Sequence, residues 1–110
     1  MIGNDHFDEW IRKRWSGGGY GANNLHPTPA PLVAVLGLAG ETGEAIDLIK
    51  KHIRDGAHPG EKLKLELGDV LHYLTVIAGS YGWTLDDLVV ANMHKLKIRD
   101  EQKGWTPPNT

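Results

Sequence analysis

Several features are absent or scarce in this 110-residue sequence, and each absence narrows the class of protein. There is no cysteine, which excludes disulfides and thiolate metal sites and is compatible with a reducing cytoplasm. No apolar run approaches the roughly 18 residues of a membrane span, and we expect no signal peptide. The formal net charge is only -2, without a long basic run. We therefore expect a cytoplasmic protein that binds neither a nucleic acid polymer nor a membrane.

Chain length and hydrophobic periodicity together predict a small all-α protein. A chain of this length suits one compact domain, and we assign residues 1–110 to it. Apolar residues recur at helical spacing in four segments. The predicted helices cover about residues 5–15, 32–55, 60–80 and from 84 onward, and the tail at about 103–110 is expected to be irregular. These segments predict a four-helix, bundle-like subunit, and at this size we expect it to associate with further copies.

Residues at the ends of these segments support the predicted helices. Asp5 could cap the first helix through its side-chain oxygen. Pro31 suits a first helical turn, where a missing amide proton costs nothing, and Gly56 suits the position just past a helix end. The sequence from Thr84 to Asp87 has the spacing of a capping box, in which Asp87 replaces the usual Glu or Gln.

Four carboxylates form two pairs with the same internal spacing. Glu41 and Glu44 are three residues apart on the second predicted helix, and Glu66 and Asp69 are three apart on the third. Residues at this spacing share a helix face, so that two antiparallel helices could bring both pairs together. Two like charges about 4 Å apart repel by roughly 4 kcal/mol even at an effective dielectric of 20. Hard oxygen ligands of this kind favour Mg²⁺ or Mn²⁺, which would also leave positive charge for a polyphosphate.

The residues around the first pair are small and apolar, which is unusual for two glutamates. Gly40 and Gly43 bracket Glu41, and each costs about 1 kcal/mol in a helix relative to alanine. Such glycines indicate that either a partner backbone or a ligand approaches closely. Asp47 could extend the acidic row or form a surface salt bridge with a neighbouring lysine. The alternative without a metal is that all these acidic residues lie on solvated helix faces and form only salt bridges.

Aromatic residues and one histidine are further candidates for ligand contacts. His72 lies one turn past Asp69, and we expect a hydrogen-bonded helix histidine there and not a metal ligand. Several rings could stack on a base, although packing in a core or interface is their more common role. These rings belong to Trp10, Trp15, Tyr20, His26, Trp83 and Trp105.

Taken together, three stretches resemble the all-α nucleotide pyrophosphohydrolases, and particularly their MazG-like branch. Glu41-x-x-Glu44, a 21-residue spacer and Glu66-x-x-Asp69 resemble the family's two-part acidic signature. The sequences of residues 37–51 and 66–74 are similar to those of the family's second and third helices. Asn92-x-x-Lys95-Leu-x-x-Arg99 resembles its last helix, and the resemblance covers about residues 7–99.

This resemblance implies an activity, a cofactor and an assembly. Family members hydrolyse nucleoside triphosphates between the α and β phosphates, which gives a monophosphate and pyrophosphate, with Mg²⁺ or Mn²⁺. They form dimers or dimers of dimers with a substrate pocket lined by more than one chain. By position, the metal ligands and catalytic carboxylates would be Glu41, Glu44, Glu66 and Asp69, with Glu41 or Glu44 favoured as general base. The substrate-binding residues would be Lys62, Lys95 and Arg99, on the phosphates, with Asn92 beside them.

Two other functions remain open at this stage. Phosphoribosyl-ATP pyrophosphatase of histidine synthesis shares the architecture and the metal requirement, although Gly40-Glu-Thr-Gly-Glu44 suits the MazG-like branch better. A non-catalytic helical dimerisation module would use the acids only in salt bridges. The glycine-rich segment at residues 16–21 departs from the family where substrate-facing loops vary. The preferred base, the sugar and a possible role in clearing unwanted nucleotides are therefore not assigned.

Overall fold

The computed structural model describes residues 2–15 and 30–105, which contain four α-helices and no strand. The all-α class predicted from the sequence is confirmed for this part of the chain. The glycine-rich segment and the last five residues lie outside the described residues, as do Tyr20 and His26. The helices are α1 (Asn4–Arg14), α2 (Ala30–Asp55), α3 (Glu61–Ser80) and α4 (Leu85–Gln102).

The predicted helix ends are correct with one exception. Pro31 lies in the first turn of α2, and Gly56 follows its last residue with a φ of 73°. Thr84 caps α4 by accepting a hydrogen bond from the backbone N–H of Asp87 (3.1 Å), and the Asp87 carboxylate accepts one from the N–H of Thr84 (2.8 Å). The predicted cap at Asp5 is wrong. The N-cap of α1 is Gly3, which forms no side-chain capping bond. Asp5 lies in the first turn of the helix, where the helix dipole stabilises a negative charge.

Helices α2 and α3 form an antiparallel hairpin, which is the main packing interface of the described chain. The turn at residues 56–60 joins them, and Gly60 adopts a φ of 60° there. The hydrophobic core lies toward the open end of this hairpin. Its buried centre is Ile11, Ala34 and Val76, and the side chains of Phe7, Trp15, Tyr73 and Ile77 pack around it.

Two hydrogen bonds attach the start of α4 to α1. The backbone N–H of Leu85 donates to Oδ2 of Asp8 (2.6 Å), and Nδ2 of Asn4 donates to Oδ1 of Asp86 (2.9 Å). Helix α4 contacts α1 and α3 but does not approach α2. All residues from 89 to 95 are exposed, so that two successive turns of α4 are largely uncovered in the described part of the subunit.

None of the described helices combines the length and the apolar character that a passage through a lipid bilayer requires.

Candidate active site

The α2–α3 hairpin brings three of the four predicted carboxylates into one cluster. One carboxylate oxygen from each of Glu41, Glu66 and Asp69 lies within 4.8 Å of the other two. Glu41 and Glu66 are half-buried, whereas Asp69 is exposed. The i, i+3 spacing places each pair on one helix face, and the antiparallel packing of the helices makes the two faces meet. We call Glu41, Glu66, Asp69 and the adjoining Glu44 the acidic cluster.

Neighbouring carboxyl groups raise the pKa of two members of the acidic cluster. Hydrogen bonding with the Glu66 carboxyl, followed by the charge of that group, raises the pKa of Glu44. Hydrogen bonding with Glu41, followed by burial, raises the pKa of Glu66. Neighbouring carboxyl groups favour protonation because they cannot all remain ionised at short distance without a counter-charge. Glu44 therefore belongs to the cluster electrostatically.

The donor atoms of the acidic cluster suit a hard divalent cation. Two carboxyl groups can share a hydrogen bond only when one of them is protonated. As ionised carboxylates, Glu41 and Glu66 each have a buried Oε2 atom without a hydrogen-bond donor among the described residues. Buried carboxylate oxygens are normally paired, because an unpaired one loses its hydration without compensation. A cation bound by oxygen ligands would satisfy both atoms and neutralise the repulsion.

A cavity of about 450 Å³ adjoins the acidic cluster. Its lining contains two acidic-cluster residues, the two small residues that bracket Glu41, and one basic side chain. The lining residues are Gly40, Gly43, Glu44, Asp47, Leu48, Lys62 and Glu66. A Cβ atom added at Gly40 or Gly43 would meet nothing within 4 Å. No backbone of the described subunit therefore approaches these glycines, which leaves the space to a ligand or to another chain.

Asp47 serves mainly as a salt-bridge partner on the rim of this cavity. Its carboxylate contacts Lys51 (2.9 Å) and Lys50 (3.3 Å) on the same helix. These lysines lower the pKa of Asp47, with the Lys51 hydrogen bond as the largest cause. The salt-bridge alternative considered from the sequence is thus confirmed.

The three predicted residues of α4 lie apart from the acidic cluster within one subunit. Asn92, Lys95 and Arg99 are exposed, and none of them belongs to the lining of the cavity. The Arg99 guanidinium lies 3.8 Å from the carboxylate of Asp100. Lys62 is therefore the predicted phosphate-binding residue that the hairpin itself brings to the site, and the role of the α4 residues stays a prediction.

An aromatic group that the sequence analysis did not predict lies one turn from the acidic cluster. The His72 and Tyr73 rings stack (4.8 Å, 12°), and Trp15 meets both rings edge-on. Burial, and then the charge of Arg14, lowers the pKa of His72. The buried Nε2 atom has no hydrogen-bond partner among the described residues, so the expected hydrogen bond is absent at this atom. The ring is held instead by aromatic packing.

The remaining tryptophans are about half exposed. The Arg14 guanidinium lies 5.0 Å from the centre of the Trp10 ring, and Trp83 stacks on Tyr81 (5.5 Å, 21°). Trp105 follows the last turn of α4 and donates its backbone N–H to the carbonyl oxygen of Asp100 (2.8 Å). None of these three rings lines the cavity beside the acidic cluster.

With this geometry, comparison with known proteins identifies the family. The family model of the MazG nucleotide pyrophosphohydrolase domain matches residues 30–103, which include α2, α3, α4 and the whole acidic cluster. The chain therefore belongs to the MazG nucleotide pyrophosphohydrolase domain family. A curated relative, the Gene 37 protein of Mycobacterium phage L5, is 35% identical over 87 residues, which cover 74% of this chain and 76% of that protein. No solved structure matches the chain.

Proposed function

We propose that this protein is a Mg²⁺-dependent hydrolase that converts a nucleoside triphosphate, NTP or dNTP, into the monophosphate and pyrophosphate. The observation that carries the proposal is the convergence of Glu41, Glu66 and Asp69 within 4.8 Å, with two buried oxygens that need a counter-charge. Membership of the MazG family supports nucleotide hydrolysis as the chemistry of this site. Clearing unwanted nucleotides from the pool is a role compatible with this activity.

The ligands for the metal would be Glu41, Glu44, Glu66 and Asp69. Bound Mg²⁺, or Mn²⁺ in its place, supplies charge neutralisation for the phosphates and makes a water molecule easier to deprotonate. Glu44 is our choice for the general base, because it both belongs to the acidic cluster and lines the cavity. Lys62 lines the same cavity and places a positive charge near a bound phosphate. Phosphoryl transfer depends mainly on positioning and charge neutralisation, which these residues provide.

A second subunit would complete the site. Helix α4 does not approach α2 in its own chain, and all of its residues from 89 to 95 are exposed. A helix segment with little tertiary packing is marginally stable in water, which favours its docking on another chain. We infer that the stripe formed by Asn92, Lys95 and Arg99 reaches the acidic cluster of a partner subunit and binds phosphates there.

Exposed apolar side chains on the α2–α3 hairpin support the same assembly. A subunit that leaves so much apolar helix surface in water favours burial against another copy. These side chains are Leu36, Ile46, Ile49, Ile53, Leu65, Leu67 and Leu71. We propose a dimer or a dimer of dimers with this surface in the interface.

The test of the activity is an assay of pyrophosphate and orthophosphate release from a panel of nucleoside triphosphates with Mg²⁺. We expect pyrophosphate from at least one of them, and we expect Glu44→Gln and Asp69→Asn to abolish most of the turnover with helix content intact. Glu9→Gln is the matched control, since Glu9 pairs with Lys13 (2.9 Å) on the exposed side of α1. Unchanged turnover in both site variants would rule out the acidic cluster as the active site.

Thermal unfolding with and without Mg²⁺ separates the enzyme from a non-catalytic dimerisation module. A metal that binds only the folded state adds about 2.7 kcal/mol at a concentration one hundredfold above its dissociation constant. A module whose acids form only salt bridges would not respond. Including phosphoribosyl-ATP in the nucleotide panel tests the pyrophosphatase of histidine synthesis, which shares the same metal chemistry.

A further inference from the structure

A close contact between helices beside the acidic cluster lies between Gly37 of α2 and Tyr73 of α3. A Cβ atom added at Gly37 would lie under 3.0 Å from three ring carbons of Tyr73, including Cδ1 at 2.8 Å. Real side chains do not come so close, so any larger residue must displace the ring. Gly40, Gly43 and Gly68 differ, because a Cβ added there would meet nothing within 4 Å. Among these glycines of the hairpin, Gly37 is the one that close packing requires.

This contact is separated from the acidic cluster by the same number of residues on both helices. Gly37 precedes Glu41 by four residues on α2, and Tyr73 follows Asp69 by four residues on α3. In an antiparallel hairpin both offsets run in the same direction. The contact therefore lies one helical turn, roughly 6 Å, from the place where Glu41 meets Asp69.

The Tyr73 ring cannot easily swing away from Gly37. It stacks on His72 at 4.8 Å, and Trp15 at the end of α1 meets it edge-on at 6.1 Å. The same ring packs against the buried centre formed by Ile11, Ala34 and Val76. A methyl group at Gly37 would consequently push the helices apart or shift one along the other.

We propose that Gly37 and Tyr73 are positioning residues that set the spacing and register of α2 and α3, so that the carboxylates of Glu41, Glu66 and Asp69 converge. Helices are stiff, so a displacement at the contact is carried over one turn to the cluster. A slip by one full turn, about 5.4 Å, would exceed the 4.8 Å within which the three ligand atoms lie. The inference rests on the metal site of the proposed function.

The experiment measures Mn²⁺ affinity of the full chain by electron paramagnetic resonance of free Mn²⁺, alongside helix content and urea midpoint. We expect Gly37→Ala to bind Mn²⁺ about tenfold or more weakly with helix content retained, a loss typical of altered support around metal ligands. Gly68→Ala adds the same methyl group to the same hairpin in open space, and Tyr73→Phe keeps the ring. Both controls should bind within about twofold of the wild type.

The outcomes separate positioning from simple packing. If Gly37→Ala lowers the urea midpoint but its folded form binds Mn²⁺ as the wild type does, the positioning role is wrong. Should Gly37→Ala fail to fold, Tyr73→Leu decides, because a leucine does not fill the space against Gly37 that the ring fills. Wild-type Mn²⁺ affinity in that variant would overturn the inference. Absence of Mn²⁺ binding in the wild type would overturn the proposed metal site as well, which makes the two failures distinguishable.

Discussion

Glu44 and Glu66 are the residues whose protonation reports most directly on the acidic cluster. Their neighbours raise both pKa values, with Glu66 as the main cause for Glu44 and Glu41 as the main cause for Glu66. The ordinary pKa of a glutamate side chain is 4.5. Without metal, Glu44 and Glu66 therefore bind protons more strongly in the native state than in the unfolded state at pH values just above the ordinary glutamate pKa.

We predict a pH dependence of stability from these raised pKa values. Where the native state holds more protons than the unfolded state, the free energy of unfolding falls as the pH rises. In EDTA, the wild type should therefore lose stability relative to the variant Glu44→Gln/Glu66→Gln as the pH rises from the ordinary glutamate pKa through the raised values. Urea unfolding at a series of pH values measures this difference.

Metal should reverse the trend, because a cation binds the ionised carboxylates and competes with protons. Saturating Mg²⁺ at neutral pH is expected to stabilise the wild type and to leave the double variant nearly unchanged. Parallel pH profiles of the two proteins in EDTA would contradict the mutual repulsion on which the prediction depends.

Asp8 is a residue that the sequence analysis missed and that links two helices. It is only 4% exposed, accepts the backbone hydrogen bond of Leu85 at the start of α4, and lies 3.4 Å from Arg12. A signal was present, because Asp8 lies on the same helical side as Ile11 and Trp15. A charged residue on an apolar side indicates a buried partner, although sequence alone does not show which backbone group it reaches.

At the level of helix attachment, Asp8→Ala should destabilise the protein by about 1–3 kcal/mol, since a buried donor loses its acceptor. Urea unfolding provides the measurement. Asp5→Ala is the matched control, because Asp5 is exposed in the first turn of the same helix and should change stability little. Equal midpoints for the two variants would show that the Asp8 bond does not hold α4 in place.

Helix α4 is the element whose function depends on where it docks. If its basic stripe binds phosphates, Lys95→Ala and Arg99→Ala should each lower kcat/KM by about tenfold or more. Metal affinity without nucleotide should change little, since neither residue is a proposed ligand. Lys97→Ala on the same helix is the control. A merely solvated basic face near a helix C-terminus would leave hydrolysis intact in the Lys95→Ala/Arg99→Ala variant.

The described part of the chain is extended for its length, which bears on its assembly. The Cα radius of gyration is 17.1 Å, above the about 13 Å expected for a compact domain of roughly 100 residues. Large apolar side chains remain exposed on α2, including Ile53 with 81% of its surface accessible. An isolated subunit therefore leaves large apolar side chains in water that association with another copy would bury.

We predict that the purified protein is at least a dimer at micromolar concentration. Light scattering should give a mass of at least twice 12.1 kDa. Ile46→Asp and Ile53→Asp should shift the protein toward the monomer. Both isoleucines are exposed in the subunit, and each aspartate would place an unpaired charge in the interface. A monomeric wild type would remove both the interface and the shared site.

A shared site has a further consequence for mixed assemblies. Glu44→Gln subunits lack an acidic-cluster ligand, and Arg99→Ala subunits lack the proposed phosphate contact. If these residues meet across the interface, mixing the two impaired variants under exchange should restore one intact site and raise the activity above that of either variant alone. Mixtures that remain as impaired as the separate variants would place both residues in the same subunit's site.

Much of the fold and of the acidic cluster could be predicted from the sequence because these features depend on local spacing. The capping box at Thr84 and the turn at Gly56 follow from backbone rules that act over a few residues. The pairs Glu41/Glu44 and Glu66/Asp69 share helix faces for the same reason. The 21-residue spacer between the pairs is compatible with a hairpin in which the two faces meet.

The sequence by itself therefore determined the helices, the composition of the acidic cluster and the family signature. Tertiary structure alone decided which groups meet across elements. It placed Tyr73 against Gly37, the carboxylate of Asp8 on the backbone of Leu85, and Lys62 on the cavity beside Glu44. It also kept α4 away from α2. These contacts join residues far apart in the chain, and their geometry depends on how packed helices cross, which no local periodicity encodes.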